Sequence, residues 1–409
     1  MQSGSRRSVS SNAFRRSSRK CVSSIAHSFV ADTRLFAGKA VPRVASNQPA
    51  TLQAITAGSI RVAGSKAVHI AIDANNIVVD TQGIGRYVRT LLRTYVHDRE
   101  LELTLLLRNI APWLSRRRIA AIIGGDQFGL STRVPSSVDV VWHPWNGTFF
   151  ASPFPSVVTM HDAVPFAFPS ADPARRSAEQ EPFLRSARTA SLVIAVSHAG
   201  ARDIVARVGV PQERVRVVYH GVAPIFSPDA GERAGSYLLF VGNAGQRLKN
   251  FALLHRAYTC AWPHGDGPGL VAVGGSSVAY AGVRSIPAIR KGGAGGHGDQ
   301  RIRDLYRGAL ALCVPSLYES FGMPMLEAMA CGTPVLAART GAMPELSGGA
   351  AWLLDPMDEK GWTAALRTIA EDKTLRARFR AAGLAHTRTF RWEQCAAQTL
   401  DVLREAAHG

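Results

Sequence analysis

The 409-residue chain is 46% hydrophobic and 19% charged, the balance of a globular protein with material for two domains. No apolar run approaches the ~20 residues that a membrane span needs. The net charge is +18, but eleven Lys and Arg against one acid (Asp32) place +10 of it in residues 1–66; the remaining +8 is no nucleic-acid signature for the folded body.

Residues 1–66 are rich in Ser, Arg, Ala and Val and show no sustained hydrophobic period. Too little apolar surface is available to offset the entropy of ordering, so a disordered basic extension is expected. A transit peptide, or translated sequence upstream of the true start, shares this composition. A secretory signal does not, because no compact apolar core follows the basic start. The five cysteines, Cys21, Cys260, Cys313, Cys331 and Cys395, are scattered and lack metal-ligand spacing. They read as reduced thiols of a cytoplasmic protein.

Folded sequence is expected from Ala67. Val68–Asp73 reads as a strand, and Ile84, Tyr87, Val88, Leu91, Leu92 and Tyr95 fall at helical spacing behind Gly83 and Gly85. Strand, glycine turn and helix open a Rossmann-like unit whose glycines admit phosphate or sugar to the backbone. A second strand is expected at 101–107. Arg86, Arg89 and Arg93 share one helix face and, with Arg116, Arg117 and Arg118, form either a membrane-surface patch or a solvated basic face. Strands at 138–141 and Ser156–Met160 run into His143-Pro144-Trp145-Asn146 and His161-Asp162, at the strand ends where open α/β sheets hold ligands. His161 is then either a ligand-facing group or a packed core histidine. A strand at 192–196 ends in Ser197, an N-cap for a helix over 198–208, with cleft lining as its second role. His220-Gly221-Val222-Ala223-Pro224 closes the first domain, with the boundary near 221–230.

The second half opens with strand Tyr237–Val241 and helix Phe251–Ala261. Lys249 stands at that helix start, where the dipole disfavours a cation; a bound anion removes the conflict. A strand follows at 270–273. Residues 274–300 are Gly-rich and basic and read as a flexible loop, before a helix over 301–310. The densest signal lies in 311–338. A buried strand at 312–315 leads through Glu319-Ser320-Phe321-Gly322-Met323 into an apolar helix at 325–331. Pro324 sits in its first turn, Gly332 and Pro334 stop it, and strand Val335–Ala338 follows. Free N–H groups and the helix dipole make the loop corner an anion site. Glu319 and Glu327 beside it suit a ligand carrying both phosphate and hydroxyls, such as a nucleotide sugar. The alternative is a surface Glu plus a Glu favoured by the dipole. Helices over 359–371 and 373–386 precede a last helix that opens at 390–393.

The run E-S-F-G-M-P-x-L-E-A-M-A-C-G-T-P-V from Glu319 to Val335 resembles the signature of the family-4 (group 1) retaining glycosyltransferases of GT-B fold. The loop T-Q-G-I-G-R-Y at 81–87 is similar to the mannosyltransferase-like branch, with Gln82 as a departure. The resemblance covers about 68–405. It implies an α/β fold of two Rossmann-like domains facing each other across a cleft, with the disordered arm outside it. Residues 67–222 become the acceptor domain, 223–388 the donor domain, and 389–409 a helix crossing back to the first.

By the same resemblance, Glu319 contacts donor-sugar hydroxyls, Glu327 holds the ribose, and Arg247 and Lys249 hold the diphosphate. Arg247 departs from the family's spacing. Gly83 and Gly85, with Ser320, Phe321 and Gly322, line the donor site. His161 faces the donor sugar, and Asp162 orients it or serves the acceptor side. The implied reaction is a metal-free, cofactor-free, retaining transfer from a nucleotide sugar, GDP-mannose in that branch, to a saccharide or lipid-linked saccharide. It belongs to surface polysaccharide, lipopolysaccharide or glycolipid synthesis, in the cytoplasm or at the inner face of the plasma membrane, with no nucleic-acid partner. A non-catalytic nucleotide-sugar-binding protein of the same fold and a GT-B nucleotide-sugar epimerase are the competing readings. The epimerase needs acid/base groups that are not evident here.

Overall fold

The computed structural model describes residues 67–409 except 79, 81–82, 109–111, 229–234, 276–278 and 290–296, and the side chains of 112–115. The expected disordered extension over 1–66, and Thr81-Gln82 of the first glycine loop, lie outside the described residues.

Two parallel sheets organise the chain. The first is built from β1 (Val68–Asp73), α1 (Gly83–Tyr95), β2 (Leu101–Leu106), α2 (Pro112–Ile123), β3 (Gly129–Ser131), β4 (Val140–His143), β5 (Ser156–Met160), α3 (Val164–Ala167), α4 (Pro173–Thr189), β6 (Leu192–Ala195), α5 (His198–Asp203) and β7 (Val215–Val217). Its strand order is β3-β2-β1-β4-β5-β6-β7. Helices cover both faces of such a sheet, so its central strands read as unbroken apolar runs. Val-Val-Trp-His of β4 and Ser-Val-Val-Thr-Met of β5 are accordingly buried throughout.

The second sheet comes from β8 (Tyr237–Val241), a 3₁₀ turn (Arg247–Lys249), α6 (Phe251–Ala261), β9 (Gly269–Val273), β10 (Val283–Ile286), α7 (His297–Arg307), β11 (Ala309–Val314), α8 (Met323–Ala330), β12 (Val335–Ala338), α9 (Met343–Ser347), β13 (Trp352–Leu354), α10 (Glu359–Glu371), α11 (Lys373–Thr387) and α12 (Trp392–His408). Its order is β10-β9-β8-β11-β12-β13, again all parallel. The described residues form one compact unit containing both sheets.

Several expectations need correction. The stretch 274–300 is no loop throughout: Val283–Ile286 pairs in parallel with β9 as an edge strand, and α7 starts at His297. That helix ends at Arg307, because Leu310 is already inside β11. α8 starts two residues early, with Pro324 at its second position. The helix expected over 198–208 keeps its α form to Asp203 and then widens into a π-helical turn from Ile204 to Val208. His143 ends β4 instead of following it.

The last helix crosses back as expected. Trp392, Cys395, Ala396, Leu400 and Leu403 join the core of the first sheet, and the Tyr95 hydroxyl donates to the Ala396 carbonyl at 2.8 Å. The crossing is tight. A Cβ on Gly221 would collide with the Trp392 backbone, which explains the glycine after His220.

α1 does not present its arginines to a membrane. Arg86 and Arg89 are buried, and Arg93 donates to the Ile122 carbonyl at 3.0 and 2.8 Å. Arg89 donates to the Ile77 and Asp80 carbonyls. Arg116, Arg117 and Arg118 are exposed. Among the described residues no helix is long and apolar enough to cross a membrane.

Candidate active site

The carboxyl ends of both sheets face one cleft. His161 follows β5, His220 follows β7, Lys249 follows β8 and Glu319 follows β11. A cavity of about 230 Å³ there is lined by Gly83, Ile84, Arg86, His161, His220, Glu319, Ser320, Phe321, Gly322, Met323, Pro324, Glu327 and Trp392. A larger cavity, about 560 Å³, opens at the other end of the second sheet, beside Ser236, Ala309 and Pro334. Arg307, Arg376 and Arg380 line it, and each donates to backbone carbonyls. Open α/β sheets hold ligands at their carboxyl ends, so the smaller cavity is the candidate site.

The loop from Glu319 to Met323 is shaped by Gly322, whose φ of 89° is left-handed and whose Cβ would strike the Met343 methyl. The loop's amides from Ser320 to Met323 donate to no acceptor among the described residues. These four N–H groups, three in the loop and one at the first residue of α8, form a positive corner ahead of that helix.

Lys249 reaches this corner from the 3₁₀ turn ahead of α6, not from the helix start itself. Its Nζ lies 2.6 Å from Glu319 Oε1, which also accepts from Ser316 Oγ at 2.8 Å. Both bonds fall on one oxygen, and Glu319 Oε2 has no partner among the described residues. Arg247 is exposed on the same turn.

Glu327 is fully buried. Its Oε1 accepts from Arg86 Nη1 at 3.3 Å and its Oε2 from the Tyr306 hydroxyl at 3.1 Å. Arg86 also pairs with buried Asp299, so one guanidinium from the first sheet ties two carboxylates of the second. Sequence reasoning placed Arg86 on a surface face. The available signal was its position directly after Gly85, inside the apolar stripe of α1.

His161 is buried, with Nε2 3.0 Å from the Pro144 carbonyl and Nδ1 3.3 Å from His220 Nε2. Burial lowers its pKa from 6.5 to about 4, so the ring is neutral at pH 7. Asp162 does not touch that ring. Its carboxylate accepts from the Val164 amide at 3.0 Å and from Asn146 Nδ2 at 3.3 Å, and burial raises its pKa. The expectation that Asp162 orients the His161 ring is therefore corrected, and His220, read from sequence only as part of the interdomain connection, is the ring's side-chain partner. Asp162 reaches His161 indirectly: Asn146, held by Asp162, accepts from the His161 backbone amide.

Gly83 and Gly85 serve different ends. A Cβ on Gly83 would meet open space, whereas one on Gly85 would strike the Asp80 carbonyl. Ser197 fills its expected capping role, accepting from Gly200 N at 2.9 Å, and donates to the Ser320 carbonyl at 2.6 Å; it is fully buried and supports the loop without lining the cavity. Beside it Glu345 accepts from the amides of His198 and Ala199 at 2.8 and 2.9 Å and from the Tyr219 hydroxyl at 2.8 Å. That side chain ties the second sheet to the start of α5, and nothing in its local sequence announced it.

Residues 81–224 match the profile described as Glycosyltransferase Family 4, and residues 293–386 match Glycosyl transferases group 1. Together the two cover more than half of the chain, and the second contains Glu319 and Glu327. The chain belongs to the group 1 glycosyltransferases of family 4. Among curated relatives of this family 4 chain, an MMP α-(1→4)-mannosyltransferase of Mycolicibacterium hassiacum is 31% identical over 242 residues, 54% of this chain and 56% of the relative. An O-antigen chain mannosyltransferase B of Escherichia coli is 37% identical over 106 residues, 26% of this chain and 28% of the relative. A D-inositol 3-phosphate glycosyltransferase of Streptomyces scabiei is 31% identical over 206 residues, 50% of this chain and 44% of the relative. The chain thus spans about half the length, or less, of these relatives.

Among solved structures, Anabaena HepE in complex with UDP and glucose aligns with a TM-score of 0.60 at 15% identity, over 82% of this chain and 99% of that one. Sucrose-phosphate synthase from Thermosynechococcus elongatus gives 0.59 at 17%, over 83% and 98%. At such identities the likeness establishes the fold, the two-sheet GT-B architecture of this family 4 chain.

Proposed function

We propose that the protein is a retaining glycosyltransferase that moves a sugar from a nucleotide-sugar donor to a saccharide or lipid-linked saccharide hydroxyl. The observation that carries this reading is the corner formed by Lys249, Glu319 and the open amides from Ser320 to Met323. Breaking the glycosyl–phosphate bond builds negative charge on the leaving diphosphate and oxocarbenium character at the anomeric carbon. Lys249 and the amides at the start of α8 supply fixed positive charge for the first. Glu319, with Oε2 open, orients the sugar through its hydroxyls, and the Lys249 bond to Oε1 sets the carboxylate's direction. These groups meet the developing charge without a metal or other cofactor. Glu327 takes the ribose, in exchange for its bond from Arg86 or Tyr306.

GDP-mannose is the proposed donor. The T-Q-G-I-G-R-Y loop supports mannose, as do two of the curated relatives, which carry mannosyltransferase names. The proposed setting is surface polysaccharide or glycolipid synthesis at the inner face of the membrane.

A donor panel tests the reading. Purified protein is incubated with GDP-, UDP- and ADP-sugars while thermal stability and sugar release are followed. We expect GDP-mannose to raise the melting temperature and to be turned over with retained anomeric configuration. No stabilisation by any of the nucleotides would refute the assignment.

A further inference from the structure

The wall of the cleft holds a pair of histidines whose hydrogen bonding admits one arrangement. His161 Nε2 faces the Pro144 carbonyl at 3.0 Å, and a carbonyl can only accept, so Nε2 carries the proton. In the neutral ring Nδ1 is then a bare acceptor. Its partner at 3.3 Å, His220 Nε2, must donate. That leaves His220 Nδ1 as an acceptor, and this atom is buried without a hydrogen-bond partner. Burial holds both rings neutral, His161 at about 4 and His220 well below its ordinary value, which removes the alternative in which a charged His161 donates at both nitrogens.

His220 is out of place on packing grounds alone. Its ring centre lies 4.8 Å from those of Tyr87 and Phe321 and 5.7 Å from that of Trp392, on which it stacks. A phenylalanine suits such an aromatic box and brings no unmatched acceptor of its own. The imidazole therefore carries a cost that packing does not explain. Its one polar contact among the described residues is the bond to His161.

We propose that His220 is a positioning residue for His161: by donating from Nε2 to His161 Nδ1, it locks that ring in the Nε2–H tautomer and in one orientation at the cavity wall. Held only by the Pro144 carbonyl, the His161 ring is free to turn over about its Cβ–Cγ bond, which puts carbons where Nδ1 and Nε2 stood, breaks the Pro144 bond and releases the tautomer. With both nitrogens engaged, it presents a fixed neutral surface to the ligand. The catalytic consequence rests on the glycosyltransferase reading; the tautomer does not.

The test uses the full chain and three variants, H220F, H220Q and H220N. Glutamine carries an N–H donor near the position of Nε2, whereas asparagine is too short to reach His161. Long-range ¹H–¹⁵N spectra of histidine-labelled protein are expected to show His161 with a protonated Nε2 and a bare Nδ1 in the wild type and H220Q. Mixed tautomers are expected in H220F and H220N. In GDP-mannose turnover, kcat is expected to fall tenfold or more in H220F and H220N with KM within threefold, and H220Q should recover most of it. H220F should melt close to the wild type, since it fills the aromatic box and trades the unmatched His220 Nδ1 for an unmatched His161 Nδ1.

A protonated His161 Nδ1 in the wild type overturns the proposal, as does an H220F enzyme with wild-type turnover. A wild type inactive on every donor sinks the glycosyltransferase reading instead, and the spectra still decide the role of His220.

Discussion

In the proposed reaction Lys249 carries the heaviest electrostatic load in the cleft. Its ammonium lies against Glu319 with a quarter of the side chain exposed. In the proposed reaction it meets the leaving diphosphate, so Lys249→Ala should lower kcat by roughly 10²–10³, the usual effect of losing one donor to developing negative charge. Steady-state kinetics with GDP-mannose check this, and a variant within threefold of the wild type contradicts it. Glu319, Ser320 to Gly322 and Lys249 were legible as a group because they sit in short local patterns. Arg86 was not: it reads as one of three surface arginines until the sheets close and two carboxylates meet it. The orienting role that the resemblance implied for Asp162 failed as well: successive residues past a strand end point apart, and the His161 ring turned to a residue 59 positions away.

At the scale of elements, the strand–loop–helix–strand unit around α8 depends on Gly322. Both its left-handed φ and the Met343 methyl beside it exclude a side chain. Gly322→Ala should therefore destabilise the protein by about 1–3 kcal/mol, the cost of a non-glycine residue held in a sparse backbone region, measured by urea unfolding. An unchanged midpoint would show that the loop relaxes freely. Elements with strong periodicity or clear stops matched closely: Val68–Asp73, Ser156–Met160, Tyr237–Val241 and Phe251–Ala261 fall where the pattern placed them. The misses cluster where tertiary pairing overrides composition. β10 is a four-residue edge strand of Val-Arg-Ser-Ile, with two exposed polar residues and no apolar run to betray it. It exists because β9 offers a free edge.

At the scale of the molecule, three buried histidines make stability depend on pH. His143 and His161 are held at about 4 and His220 well below the ordinary value, all mainly by burial. The unfolded chain binds protons at these sites below about 6.5 while the folded chain does not, so stability falls as pH drops from there toward 4. Asp73 opposes this: burial raises its carboxyl to about 6, so its contribution is present at low pH and is lost as pH rises through that value. Three groups against that one, with Asp162 a further opponent, leave a net loss on acidification. We expect the melting temperature to drop by roughly 5 °C between pH 7 and pH 5. Calorimetry at both values checks it, and a rise would mean that the buried carboxyls outweigh the histidines.

What the sequence determined by itself was everything written in local runs: the alternation of parallel strands and helices, the glycine loops, and the Glu319–Val335 signature with its two carboxylates. Hydrophobic period, helix stops and turn chemistry act over a few residues, so they can be read without knowing where the chain goes. The tertiary structure alone decided the partners: Arg86 with Glu327 and Asp299, His220 with His161, and Glu345 with the start of α5. Those pairs join residues 59 to 241 positions apart, and all but the histidine pair cross between the two sheets. Their energies come from desolvation and hydrogen bonding once the cleft has formed, and no local pattern encodes them.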